Sequence, residues 1–200
     1  MRFLRDAVIT VVILIAVVWF VAYSRVRAGG LSAEAEPGKL EYAIATRLAR
    51  LSIPADAKHQ ENPFRADATT WRTAADHYRD HCAQCHGNDG HAKTLLGQAM
   101  YPKVPDLADP VVQRMSDGEL FYVIQNGVRW TGMPSWRREH STDDTWRLVS
   151  LVRAVPNLTD ADLESAGLGS RTEQNDTQQH REHPEPQDEH RTEPHPHQKR

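Results

Sequence analysis

The feature that most constrains this chain is the pentapeptide CAQCH, which runs from Cys82 to His86 and holds the only two cysteines among the 200 residues. Two cysteines are too few for a fold that depends on disulfides. Two thiols separated by two residues, with a histidine directly after the second, allow three interpretations: a zinc knuckle, a redox-active dithiol or a site of haem attachment. Each interpretation makes a different demand on the rest of the sequence.

The zinc and dithiol interpretations fit the surrounding sequence poorly. A structural zinc site needs four cysteine or histidine ligands, and although His81, His86 or His91 could be a third ligand, there is no second Cys-x-x-Cys pair. A redox-active dithiol normally begins a helix that follows a strand, because the helix dipole lowers the pKa of the thiol. Here the pair ends a predicted helix, and no alternating strand pattern lies nearby.

Haem attachment makes a demand that the sequence meets. Two thiols add to the two vinyl groups of one haem, and a neighbouring histidine binds the iron, so that Cys-x-x-Cys-His is typical of c-type haem. We therefore expect one covalent haem c on Cys82 and Cys85, with His86 as the proximal ligand. A haem would also fill the core of a domain whose loops are unusually long for its size.

The sixth ligand of the iron is expected to be a methionine, because a filled sixth position suits an electron carrier and a thioether favours Fe(II). Met133 stands in NGVRWTGMPSW, a loop between two predicted helices in which Gly132 permits close backbone approach and Pro134 stiffens the chain. We expect Met133 to be the ligand. Met100, which lies on the loop after His86, is the alternative.

The N-terminus predicts a membrane anchor. The stretch from Ala7 to Tyr23 carries no charge, and as a helix it would span about 26 Å, slightly less than the hydrocarbon thickness. An uncleaved anchor is favoured over a signal peptide cleaved after Ala28. Arginines flank both ends, so charge alone leaves the orientation open. Because covalent haem is installed outside the bacterial cytoplasm, the chain after the anchor is expected in the periplasm, with the anchor in the inner membrane.

The remaining sequence divides by composition. An amphipathic pattern predicts a packing or spacer helix over 37–52, and apolar periodicity predicts a helix over 70–82. Capping boxes at Ser116 and Ser141 predict helices that end near residues 126 and 154. The expected organisation is an anchor at 1–28, a linker at 29–63, a folded domain at 64–157 and a disordered tail at 158–200.

The tail holds five histidines among prolines and charged residues, and these are candidate ligands for a divalent metal ion: His180, His183, His190, His195 and His197. The simpler interpretation is a solvated, disordered segment. His77 and His81, in the folded segment, are interpreted as surface residues of a helix. The whole chain has 24 basic and 27 acidic residues, which does not indicate a nucleic-acid-binding protein.

Four motifs carry a family resemblance. YRDHCAQCHGNDG, PDLAD at 105–109, SDGELFYVIQNGVRWTGMP and DDTWRLVSLVRAVP together resemble a membrane-anchored, class I monohaem cytochrome c, similar to the haem domain of cbb3-type oxidase subunit III. The resemblance implies an all-α cytochrome c fold: three to four helices with long loops wrapped around one covalent haem, preceded by a single N-terminal transmembrane helix.

The resemblance also implies roles for individual residues. A proline carbonyl, that of Pro105 or alternatively Pro102, would hold the ring of His86. Tyr78 and Trp146 would help to form the crossing of the first and last helices of the domain. Trp130 and Arg129 would lie near a haem edge or propionate, and their alternative interpretation is as ordinary surface residues of the loop.

The expected function is one-electron transfer by a membrane-tethered periplasmic protein, with redox partner proteins in or near the inner membrane. No acid–base pair or nucleophile points to an enzyme. The alternative is a haem-based sensor or haem enzyme with a displaceable sixth ligand.

Overall fold

The computed structural model describes residues 2–65 and 67–169, and all the regular structure within these ranges is helical. The helices are α1 (Arg2–Arg27), α2 (Lys39–Leu51), α3 (Ala55–Lys58), α4 (Ala68–His77), α5 (Ala83–His86), α6 (Leu95–Ala99), α7 (Pro110–Gln113), α8 (Asp117–Asn126), α9 (Thr142–Ala154) and α10 (Asp160–Ser165). A π-helical turn, Tyr78–Cys82, joins α4 to α5, and a 3-10 turn, Val155–Asn157, follows α9. The all-α prediction is confirmed.

Helix α1 has the length and composition of a membrane span. Its 26 residues include a window of mean hydropathy 2.6, and none of that window is buried against the rest of the described chain. Trp19 and Tyr23 stack at 5.4 Å between ring centroids near its C-terminal end, which suits an interfacial position. The structure therefore contains one N-terminal helix that is apolar enough to cross a bilayer.

Helix α2 forms where the amphipathic pattern predicts it, but its apolar stripe is not buried by the described residues. The stripe consists of exposed side chains: Leu40, Ile44, Leu48 and Leu51. Polar contacts tie the helix to the domain instead. Arg50 donates to the carbonyl oxygen of Val111 at 3.1 Å, and Tyr101 donates to the carboxylate of Glu41.

The core of the domain lies where α4 crosses α9. Ala74 and Ala75 of α4 are fully buried, and their small side chains let the two helices approach closely. Trp146 and Val149 of α9 belong to the same core cluster. Both predicted capping boxes are present, at the start of α8 and of α9, so each helix begins where its sequence indicates.

The packed domain extends beyond both predicted boundaries. Residues 158–169 were expected to belong to a disordered tail, yet α10 is folded, and Leu163 and Leu168 are buried in the core with exposed fractions of 0% and 2%. On the other side, Ile53 and Ala57 are buried, and Asn62 donates to the carbonyl oxygen of Trp146 at 2.9 Å. Each of these short segments has too few apolar residues to give a recognisable period.

Candidate haem site

One nearly continuous helical run carries the CAQCH motif. It begins at Asp67, whose side chain accepts from the backbone N–H of Thr70 at 2.9 Å, and it continues through the π-helical turn to His86. A π-helical turn inserts an extra residue into the helical repeat and so changes which side chains face the core. The Tyr78 hydroxyl donates to the carbonyl oxygen of Gly87 at 2.8 Å. This buried bond fixes the end of the run directly after His86.

The two thiols are not joined in a disulfide. Cys82 packs against the hydrophobic core, and burial raises its pKa to about 12, with a further increase from the neighbouring Cys85. Burial also raises the pKa of Cys85. Redox-active and zinc-binding cysteines need stable thiolates, which low pKa values provide. The environment of this pair therefore disfavours both alternatives to haem attachment.

The ring of His86 is oriented by the backbone of a distant loop. Its Nδ1 lies 3.3 Å from the carbonyl oxygen of Pro105. A carbonyl can only accept, so Nδ1 carries the proton and Nε2 presents its lone pair. Burial lowers the pKa of His86, and the bond to Pro105 partly opposes this, so the ring is neutral at physiological pH. A neutral imidazole with a fixed tautomer is the form that binds iron.

The loop that carries Met133 is folded back onto the end of α8. The backbone N–H of Val128 donates to the carbonyl oxygen of Met133 at 3.1 Å, and that of Trp136 donates to the carbonyl oxygen of Ile124 at 3.3 Å. Met133 is half-buried and packs against the same core cluster as Cys82. The loop thus holds this thioether on the side of the domain to which the motif cysteine also turns.

Met100 lies beside the same loop. A Cβ atom added to Gly132 would stand 2.3 Å from the Met100 sulfur, so the missing side chain of Gly132 makes room for this thioether. The structure therefore brings both methionine candidates to adjacent positions. Two thiols, a neutral imidazole with a free Nε2 and a neighbouring thioether form a donor set that fits a c-type haem.

Arg129 and Trp130 lie at the exposed tip of the Met133 loop. Trp130 is 87% exposed, and its backbone has a φ of +62°, which is uncommon for a residue with a side chain. Their proposed roles near a haem edge stay predictions. The five histidines of the tail lie outside the described residues.

Sequence analysis missed a second group of side chains close to the motif. His77 and His81 are half-buried rather than surface residues, and they lie against the buried His140. The available signal was the His-x-x-x-His spacing on a helix, which places two rings on one face. The third histidine comes from the far side of the domain's sequence and no local pattern indicates it.

A helical domain with Cys-x-x-Cys-His at the end of its first helix, a carbonyl-held histidine and a methionine-bearing loop is a cytochrome c-type domain. Residues 69–152 match the family model described as cytochrome c oxidase, cbb3-type, subunit III. This segment, somewhat less than half of the chain, is a c-type haem domain of that kind. No curated protein matches the chain. Domains of this class generally serve haem-based electron transfer rather than catalysis.

Proposed function

We propose that the chain is a membrane-tethered electron-transfer protein of the bacterial periplasm, carrying one electron on a single covalent haem c. The observation that carries the proposal is the position of His86, which ends the helical run holding both thiols and has its Nδ1 fixed by Pro105. Helix α1 would be the tether. Bound haem would supply a one-electron Fe(III)/Fe(II) couple.

In this proposal each residue has a distinct task. Cys82 and Cys85 hold the haem by thioether bonds, so that it cannot dissociate during repeated redox cycles. His86 Nε2 is the proximal ligand, and the bond from Nδ1 to Pro105 keeps the imidazole basic and correctly turned. Met133 is the distal ligand, and its soft thioether raises the potential. The core contacts of Cys82 and Met133 hold water away from this side of the site.

Exchange with partner proteins would take place at an exposed edge of the haem. The proposal places Arg129 and Trp130 there, since both are exposed on the loop that carries Met133. The segment 64–157 has equal numbers of basic and acidic residues, so net charge does not select the partner. Redox proteins in or near the inner membrane are the expected donors and acceptors.

Optical spectra test the proposal directly. The full chain, produced with haem-maturation machinery and purified in detergent, should show a low-spin spectrum in both oxidation states that carbon monoxide does not change. Met133→Ala should become high-spin and bind carbon monoxide. Met100→Ala is the matched control because it removes the other thioether near Gly132, and its spectrum should stay low-spin.

Two results would change the conclusion. Carbon monoxide binding by the unsubstituted protein would favour a sensor or enzyme with a displaceable sixth ligand. The opposite behaviour of the two methionine variants would reassign the distal ligand to Met100, while leaving electron transfer as the function.

A further inference from the structure

Three histidines form a cluster that has no role in haem binding. His77 ends α4, His81 lies one turn later in the π-helical turn, and His140 directly precedes the N-cap of α9. One potential ligand nitrogen from each ring lies within 4.8 Å of the others. The rings meet edge to face, with centroids 4.9 Å apart for His77 and His140 and 5.0 Å apart for His81 and His140.

His140 is the unusual member of the cluster. It is only 4% exposed, and neither of its ring nitrogens has a hydrogen-bond partner among the described residues. An imidazole must offer one donor and one acceptor, so a buried ring with neither satisfied costs free energy. A metal ion on one nitrogen would satisfy the acceptor. Burial, reinforced by the positive charges that His77 and His81 can carry, lowers the pKa of His140, which keeps that nitrogen unprotonated.

The surroundings of the cluster also suit a cation. The Asp144 carboxylate lies 3.8 Å from Nε2 of His77, at the place where metal-binding histidines commonly have a carboxylate that orients the ring. The Trp136 ring packs on His81 at 4.9 Å between centroids and shields one side. His77 and His81 are half-buried, so the cluster has a route to solvent.

We propose that His77, His81 and His140 form a binding site for one divalent first-row transition-metal ion, with zinc as the type. Three neutral imidazoles suit such ions, and a water molecule would complete a tetrahedral shell. The nitrogens need to draw somewhat closer than 4.8 Å, which rotation of the two half-buried rings can provide. The ion would join α4 to the start of α9, the two helices whose crossing forms the core.

Zinc titration of the full-length haem-loaded protein in detergent tests the site. The five tail histidines are first replaced by alanine (His180→Ala, His183→Ala, His190→Ala, His195→Ala and His197→Ala), because they could bind zinc independently. This chain should bind one Zn²⁺, and zinc should raise its melting temperature by binding the folded state. X-ray absorption at the zinc edge should show nitrogen ligands at about 2.0–2.1 Å.

Variants of the cluster decide the assignment. His77→Gln and His81→Gln should each weaken zinc affinity by roughly tenfold or more and reduce the zinc-dependent rise in melting temperature. Both side chains are half-buried, so these variants should fold even if His140→Gln does not. His59→Gln is the control, since His59 is exposed and outside the cluster, and its affinity should be unchanged.

Two results would overturn the proposal. One is absence of zinc binding by the chain that lacks the tail histidines. The other is zinc binding that neither His77→Gln nor His81→Gln weakens. Either result would make the cluster a ring-packed structural contact in which His77 pairs with Asp144. The haem spectrum, recorded on each variant, separates these outcomes from any failure of the haem domain.

Discussion

Gly127 ends α8 with a backbone conformation that a side chain would oppose. Its φ is +66° with ψ at −173°, a region that only glycine adopts readily. A Cβ atom there would lie 2.6 Å from the carbonyl oxygen of Met133. The loop can therefore fold back and present Met133 only because residue 127 has no side chain.

We expect Gly127→Ala to lower the free energy of unfolding by about 1–3 kcal/mol from the backbone conformation alone, with a further loss from the contact with the Met133 loop. The haem-loaded variant should also bind carbon monoxide, because displacing the loop withdraws the thioether. Denaturant unfolding followed by circular dichroism measures the stability. Gly38→Ala is the control, since nothing lies within 4 Å of a Cβ at that position, and it should match the unsubstituted chain.

The fixed tautomer of His86 also belongs to the scale of single residues. The motif indicated which histidine would bind iron, because the neighbouring cysteines mark it. The motif did not distinguish Pro105 from Pro102 as the partner of the ring. The structure places the carbonyl of Pro105 against Nδ1, and that choice depends on how the loop between α6 and α7 folds, with Leu107 donating to Gly90 at 2.9 Å.

Among the helices, α8 shows how a short element attaches the linker to the domain. Gly118 lies in the first turn of α8, and a Cβ there would come within 1.8 Å of the carbonyl oxygen of Ala57 in α3. Ser116 donates to the carbonyl oxygen of Lys58 at 2.8 Å. The segment around α3 is thereby held on the start of α8, although its sequence reads as an extended linker.

Gly118→Ala should displace α3 from α8 while leaving the haem site intact. Alanine favours a helix by about 1 kcal/mol relative to glycine, so any loss of stability must come from the contact with Ala57. We expect faster proteolytic cleavage within residues 53–62 and an unchanged haem spectrum. Cleavage at the unsubstituted rate would show that α3 and α8 do not pack closely in solution.

For the molecule as a whole, the closing segment around α10 completes the core. Leu163 is fully buried with 0% exposed, whereas Leu31 is 82% exposed. Leu163→Ala should lower the free energy of unfolding by about 2–5 kcal/mol, since it leaves a cavity. Leu31→Ala, the same change at an exposed position, should stay within about 0.5 kcal/mol of the original.

Truncation tests the same boundary on the full molecule. A haem-loaded chain that stops after Asn157 should melt well below one that stops after Gly169, because only the longer chain keeps Leu163 and Leu168. Equal melting temperatures would return the boundary of the stable domain to residue 157.

The anchor makes a prediction about the location of the whole protein. Because α1 has the length and mean hydropathy of a membrane span, haem-stained protein should stay with the membrane after an alkaline carbonate wash. Protease added to spheroplasts should remove the haem-stained band if the domain faces the periplasm. Release of the protein by the wash would indicate that the N-terminal segment is cleaved.

The sequence by itself determined the features that depend on neighbouring residues. The all-α class, α1, α2, both capped helices and the c-type haem motif all follow from local periodicity, capping or spacing. Such patterns are legible because a helix face repeats every three to four residues, and because two thiols and an imidazole must stand close together to hold one haem.

Only the tertiary structure decided the features that depend on residues far apart in the chain. It placed Met100 beside Gly132, brought His140 to His77 and His81, held His86 on Pro105, and packed α3 and α10 onto the core. None of these contacts leaves a period or a motif in the sequence. Each depends on the crossing of α4 and α9 and on loops whose course is fixed by backbone hydrogen bonds and by glycines that allow close approach.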